Sequence, residues 1–305
     1  MASIRTTHKP ALNVGLPSLP VIITLFTVYI IWGSTYLVGA IALESFPPFM
    51  LVALRLFFAM CILITVLKLR HIPLPPVREM LNAAFIGGLM FGGGAGLVAF
   101  AQKEGVASGL ASLGVAAVPI WATIFASILG YRPGKLEMLG LFIGISGVGI
   151  LNMENGMQSQ PLGAIALLTG PMLWAFGSMF SNRLKMPTGL MATVFQMIGG
   201  ALILVAMSFF RGETLPAEPS IRSIMALIYL TILGTLVAFS AYMYLVRTVR
   251  PAMATSYAYV NPVIAVVLGI SILAEQITSV GILAMVVIIT GVVLVMLGKR
   301  DAPHA

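Results

Sequence analysis

The sequence predicts an all-α polytopic membrane protein, ten transmembrane helices arranged as two inverted five-helix repeats. Three observations predict it. Only 9% of the 305 residues are Asp, Glu, Lys or Arg, and 59% are hydrophobic. A soluble domain carries about 25% charged residues, so this chain has too few polar groups to cover a water-facing surface. The apolar residues fall into continuous runs of about 20, the length a bilayer-crossing helix needs; a barrel would show alternating segments of about 10. Finally, if the runs alternate in direction, the basic residues collect on one side of the membrane.

The runs follow in order. The first, 19–40, is too long for the apolar core of a cleavable signal peptide and lacks a small-x-small site, so it is read as a retained first span. It stops at Glu44-Ser-Phe-Pro-Pro48. Span two, 48–68, ends before Arg70-His-Ile-Pro-Leu-Pro-Pro76. Spans three and four, 80–101 and 107–129, lead to Tyr131-Arg-Pro-Gly134, and span five, 136–152, to Met153-Glu-Asn-Gly156. Spans six and seven, 161–182 and 188–210, precede Arg211-Gly-Glu-Thr-Leu-Pro216. Span eight, 223–246, turns at Thr248-Val-Arg-Pro251, and spans nine and ten cover 252–274 and 279–298. Pro and Gly mark these turns because neither suits a helix interior. Residues 1–18 and 299–305 are read as cytoplasmic tails.

Thirteen of the 17 Lys and Arg residues lie on one side. Lys103, Arg211 and Arg222 lie on the other, and Arg55 falls inside a span. Both termini are therefore expected in the cytoplasm, as an even number of spans requires. The same placement accounts for the net charge of +8 without nucleic acid as a partner. The expected partners are the lipid bilayer and a small-molecule substrate; the sequence does not encode the oligomeric state, and a monomer is one option.

The two halves resemble each other. Trp32-Gly-Ser34 is similar to Trp174-Ala-Phe-Gly-Ser178, at an offset of 142 (174 − 32). Pro119 matches Pro262 at 143 (262 − 119), and Gly147-Val148 matches Gly291-Val292 at 144 (291 − 147). A repeat of five spans, an odd number, inserts its two copies in opposite orientations, as in many secondary transporters.

Arg55 is the sharpest single signal. It sits about 10 Å below the outer interface at about 1.5 Å per residue, where a charge is costly and usually faces a bundle interior or a watery path. It could hold a substrate carboxylate, hold a gate carboxylate such as Glu104 or Glu275, or tie helices together. Trp32, Trp121, Trp174, Tyr257 and Tyr259 lie near mid-span. There a hydrated cavity would satisfy their polar tips, and an aromatic wall would suit aromatic side chains or cations; helix packing is the alternative. Pro119 and Pro262 are expected to bend their helices and free a carbonyl, with Asn261 adding a polar group at the same depth. Gly92, Gly93, Gly94 and Gly96 allow close approach of a ligand or a helix, and Gly140 and Gly144 read as helix packing. Gln102, Gln196 and several hydroxyl residues are the other polar groups within spans. Spans one, three, four, six, eight and nine are expected to form the site.

Absences narrow the class. No acid lies deep within a span, so a buried-carboxylate proton relay has no evident carrier. No phosphate-binding loop or nucleophile elbow is present. Cys61 is alone, and His8, His71 and His304 fall in loops or tails, so no metal or cofactor is expected.

The run Ala241-Tyr-Met-Tyr-Leu-Val-Arg247, then Pro251-Ala-Met-Ala-Thr-Ser-Tyr-Ala-Tyr-Val-Asn-Pro-Val263 and Ala274-Glu275, resembles the EamA transporters of the drug/metabolite transporter superfamily. Tyr29-Ile-Ile-Trp-Gly-Ser-Thr-Tyr36, Arg55-Leu-Phe57 and Val118-Pro119 fit the first of that family's two repeats. One departure is Gly130-Tyr131, where many members carry Gly-Glu. The resemblance implies repeats at 19–153 and 161–298 around a central cavity, an inner-membrane location, and export of amino acids, other metabolites or toxic cations. Substrate contacts are expected from Trp32, Ser34, Tyr36, Gly93, Trp121, Trp174, Ser178, Tyr242, Tyr257 and Asn261. Gating or structural roles are expected from Arg55, Pro119, Pro262, Glu104 and Glu275. Neutral, aromatic or hydrophobic amino acids fit an acid-poor aromatic wall; lipophilic cations are the alternative substrate, and an intramembrane lipid-modifying enzyme the alternative class.

Overall fold

The computed structural model describes residues 18–106, 108–155, 161–273 and 279–297. Both tails and Glu275 lie outside the described residues. The helices are α1 (Leu19–Leu43), α2 (Pro48–Leu69), α3 (Val77–Lys103), α4 (Ser108–Val115, then Val118–Ile128) and α5 (Lys135–Asn155). The second half holds α6 (Pro161–Ser181), α7 (Leu190–Phe210), α8 (Ile221–Thr248), α9 (Pro251–Thr255, then Tyr257–Leu273) and α10 (Ser279–Leu297).

Local chemistry sets the ends. Pro20, Pro48, Pro161 and Pro251 stand in first turns, where a missing N–H breaks no helical bond. Gly105, Gly130 and Gly212 follow α3, α4 and α7 with φ of 93°, 93° and 64°. At each, the next N–H turns back to the carbonyl five residues before it, as Tyr131 N does to Ala126 O at 2.9 Å. His71, φ 51°, has the same role after α2.

Among the described residues, six helices (α1, α2, α3, α6, α7 and α8) are long and apolar enough to cross a membrane. Ten spans were expected; for two of the other four helices, α4 and α9, the difference has a local cause. α4 is interrupted at Ala116-Ala117 and α9 at Ser256. Pro119 is therefore not a mid-helix bend: it sits in the first turn of the second half of α4. Pro262 does lie inside a helix, yet the break in α9 comes earlier, at Ser256. Large apolar side chains such as Phe26, Phe142 and Phe210 stand 58%, 71% and 85% exposed, which is stable only where the surrounding solvent is hydrocarbon.

Cross-contacts sort the helix termini into two ends. At the Glu104 end, Arg211 meets Glu104, Arg222 meets Glu44, and the Glu213 carboxylate accepts from Phe49 N and Met50 N. At the Glu137 end, Arg250 meets Glu137, Lys185 meets Glu79, and Asn182 donates to Val246 O. α1 packs on α8 and α9; α6 packs on α3 and α4; α2 pairs with α7, and α5 with α10. Exchanging the first five helices for the last five maps this set of pairings onto itself. α3 and α8 each contain a π-helical stretch, Gly88–Ala95 and Leu230–Val237, again at an offset of 142 (230 − 88).

The closest crossings run on glycine. A side chain on Gly140 would begin 2.7 Å from Gly291 O, and one on Gly291 would begin 2.5 Å from Gly144 N. α5 and α10 thus meet backbone to backbone. Gly92 backs onto Ile203 of α7 and Gly93 onto Leu173 of α6, so most of the α3 glycine cluster is packing.

Candidate functional site

A cavity of about 130 Å³ lies between the halves, toward the Glu104 end. Its walls come from α1, α2, α3, α4, α6, α8 and α9. Of these, α2 was not expected. It contributes Leu51, Val52, Arg55 and Leu56, because the pairing of α2 with α7 leaves this face turned inward.

Aromatic rings close the cavity on its deep side. Trp32 meets Tyr257 at 4.7 Å, Tyr242 at 5.0 Å and Trp174 at 5.5 Å between ring centres. Tyr242 meets Tyr257 at 5.4 Å, and Phe239 meets Phe91 at 4.5 Å. These contacts are edge-on or tilted, the preferred arrangement of quadrupoles. The polar tips of Trp32 and Tyr242 are held as well. Trp32 Nε1 donates to Gly234 O at 3.0 Å, and Tyr242 OH donates to Ser178 Oγ at 2.8 Å, which in turn donates to Trp174 O at 2.8 Å. The Gly234 carbonyl is available because Gly234 lies in the π-helical stretch of α8, where the regular ladder is relaxed.

Of the expected contacts, Trp32, Tyr36, Trp174 and Tyr257 line the cavity. Tyr242 and Ser178 lie beneath the ring floor and support it. Asn261 is buried and donates to Tyr36 OH at 3.4 Å, acting through Tyr36. Three expectations are corrected. Ser34 faces away: it donates to Ile31 O at 2.7 Å and shares a 2.6 Å bond with Tyr229 OH. Trp121 stacks on Phe125 at 6.0 Å outside the cavity wall. Gly93 is covered by Leu173, and its neighbour Gly94 lines the cavity instead.

Arg55 does reach the cavity, but not as expected of a gate pair. Glu104 binds Arg211 at 3.3 Å. Arg55 instead donates from Nε and Nη2 to Thr235 Oγ1, at 3.3 and 3.1 Å. Gln102 also faces the cavity and donates to Tyr36 O at 3.2 Å. Phe91, Phe239 and Thr235 were missed at the sequence level. Thr235 was within reach, since it stands at the repeat offset of 142 from Gly93 (235 − 93).

The second missed cluster lies at the Glu137 end. Glu137 is fully buried; its Oε2 accepts from Tyr131 OH at 2.6 Å and from Arg250 Nη1 at 3.4 Å, and Arg250 Nη2 donates to Val295 O at 2.9 Å. One charge pair thereby joins the start of α5, the start of α9 and the end of α10.

A helical bundle with two matching halves and a cavity between them suits passage of a small solute. The EamA-like transporter family matches residues 19–153 and 161–297. The chain belongs to this family. It is 44% identical over 285 residues to the uncharacterized inner membrane transporter YedA of Escherichia coli (strain K12), covering 93% of each chain. It is also similar to a probable amino-acid metabolite efflux pump of the same organism, at 24% identity over 90% of this chain and 93% of that one. A crystal structure 19% identical to this EamA chain covers 90% of it and 95% of its own length with a TM-score of 0.72, a likeness of fold.

Proposed function

We propose that this EamA chain exports small organic solutes across the inner membrane by alternating access, with neutral, aromatic or hydrophobic amino acids foremost. One observation carries this: a cavity between two matched halves ends on a floor of packed aromatic rings and is lined by no acid among the described residues. An aromatic or aliphatic side chain gains from contact with those rings. The names of two relatives, an inner membrane transporter and an amino-acid metabolite efflux pump, support the location, the direction and the substrate class. Their naming as transporters also supports a carrier over a lipid-modifying enzyme.

In this reading all ten helices span the bilayer, and the halves at 19–153 and 161–298 are inverted copies. The self-matching packing and the π-helical stretches at equal offset support the inversion. The basic residues put the Glu137 end in the cytoplasm and the Glu104 end outside. The cavity then lies in the outer half, and the Glu137–Arg250 cluster seals the cytoplasmic side. Reporter fusions at Arg70 and Glu154 should read cytoplasmic and external respectively; the reverse overturns the orientation.

Purified protein in liposomes should show counterflow of a radiolabelled neutral amino acid. Trp174→Ala should cut that flux at least tenfold with abundance little changed; equal loss of both would make Trp174 a packing residue. Lipophilic cations are the second reading, favoured by the aromatic floor through cation–π attraction. Efflux of a cationic dye without amino-acid flux would establish it in place of the first.

A further inference from the structure

We infer that Arg55 is a carboxylate clamp, and that the substrate's carboxylate, not its ammonium, is the group the cavity requires. The inference rests on the transport reading above and narrows it to aromatic or apolar organic carboxylates, amino acids among them.

The argument starts from charge. Arg55 is the only charged residue among the described ones that line the cavity. A guanidinium within a bundle favours a counter-charge, because hydrocarbon supplies none. Among the described residues no carboxylate lies within ion-pair distance of it. The nearest candidates are engaged elsewhere: Glu104 with Arg211, Glu44 with Arg222, and Glu213 with the first N–H groups of α2. Its partner is a neutral hydroxyl.

That hydroxyl is set up to hold the guanidinium in one pose. Thr235 Oγ1 donates its proton to Leu230 O at 2.9 Å, across the π-helical turn. Its lone pairs are left to accept from Arg55 Nε and Nη2. Gly234 leaves room beside them, since a side chain there would begin 3.3 Å from Arg55 Nη2. With one edge pinned, the Nη1 N–H groups and the second N–H of Nη2 remain for a ligand. That is the fork which grips a carboxylate through two parallel bonds.

The position of the clamp fits the floor. Gly234 O takes the indole N–H of Trp32, and the adjacent Thr235 takes Arg55. One turn of α8 therefore ties the cation to the aromatic rings, so a ligand can place a ring on Trp32 and Tyr257 and a carboxylate on Arg55. For an ammonium the lining offers only neutral acceptors, such as the Gln102 side-chain oxygen. An amine without a carboxylate meets an unscreened like charge instead.

Three probes sharing one ring test this: phenylalanine, 3-phenylpropionate and phenethylamine. Each would compete against counterflow of radiolabelled phenylalanine in liposomes, and each would be titrated on detergent-purified protein by tryptophan fluorescence. Two of the three tryptophans, Trp32 and Trp174, face the cavity. 3-Phenylpropionate should compete within about threefold of phenylalanine, and phenethylamine at least tenfold more weakly, the size of a charge-assisted hydrogen-bond pair. Arg55→Gln should weaken both carboxylates at least tenfold and narrow the carboxylate-to-amine ratio toward one, whereas Arg55→Lys should retain part of it. A merely structural Arg55 would lower all three together and leave the ratio unchanged. The wild-type series stands even if a variant does not fold. If phenylalanine flows and phenethylamine competes as well as 3-phenylpropionate, the clamp is overturned and transport stands. If no neutral amino acid flows, the transport reading falls and the clamp with it.

Discussion

Both ends of the bundle carry exposed ion pairs, Lys185–Glu79 among them at the Glu137 end, but among the described residues only the Glu137 end adds a buried one. At the Glu104 end the pairs stand in solvent: Arg211 and Glu104 are 53% and 25% exposed, Arg222 and Glu44 65% and 52%. At the Glu137 end one pair is desolvated, with Arg250 at 18% and Glu137 at 0%, and it is joined by Tyr131 and by the carbonyl of Val295. A screened pair contributes little and breaks readily. A buried pair is costly to assemble and more costly to break on one side. The end beside the cavity is therefore held by contacts that yield, and the opposite end by a lock. If the two ends open in turn, as proposed above, the buried pair is the larger barrier of the two.

The sharpest way to break this comparison is to remove one partner of the lock. Arg250→Met leaves Glu137 buried without its cation and should cost about 3–5 kcal/mol of the closed arrangement. Thermal unfolding in detergent should fall by several degrees. In a Cys61→Ala background, Ser181→Cys, buried in this arrangement, should react faster with a thiol reagent once Arg250 is gone. An unchanged melting temperature and reaction rate would mean that Glu137 and Arg250 do not seal this end.

The ring floor lies between the two ends and should respond at an intermediate level. Trp32→Phe keeps an aromatic ring but removes the N–H that binds Gly234 O. It leaves that carbonyl without its donor, at about 1–3 kcal/mol. Phenylalanine affinity, read by the fluorescence of Trp174, should weaken by about tenfold, the equivalent of about 1.4 kcal/mol, with the melting temperature shifting less than for Arg250→Met. A larger thermal shift than in Arg250→Met would place the main closure at the floor rather than at the Glu137 end.

How much of this was legible depends on what a sequence encodes. Depth along a helix is encoded, because residues rise at a constant rate; Trp32, Trp174, Tyr257 and Arg55, chosen on that basis, line one cavity. Rotation about the axis is less well encoded. Each residue turns the helix by about 100°, and the π-helical turns in α3 and α8 change the phase of the residues beyond them. Gly93 was therefore chosen where Gly94 faces the cavity. Trp121 and Ser34 lie at suitable depths but on outward faces. The breaks in α4 and α9 were misplaced for a related reason: proline marks where a helix restarts as readily as where it bends. Glu137 was beyond reach. Its partner Arg250 stands at a sequence separation of 113, and no local spacing announces a bond made only by tertiary closure. The repeat offset did more than it was asked to do, since it also spans the two π-helical stretches and leads from Gly93 to Thr235.

The smallest effect should come from the Glu104 end, and it tests whether the exposed pair and the cavity cation are separate systems. Glu104→Gln removes the carboxylate from Arg211 but leaves that guanidinium 5.0 Å above the Phe100 ring, so the loss should stay within about 1 kcal/mol and shrink further as salt is raised. Arg55 should be indifferent to it, because its bonds run to Thr235 on α8 and not to α3. The measurement is the carboxylate-to-amine ratio in the three-probe competition, compared between wild type and Glu104→Gln at low and high salt. An unchanged ratio keeps the yielding rim and the clamp distinct. A ratio that rises when Glu104 is neutralised would mean that this carboxylate competes with the ligand for Arg55 during the cycle, and the contrast between the two ends would have to be redrawn as a single shared gate.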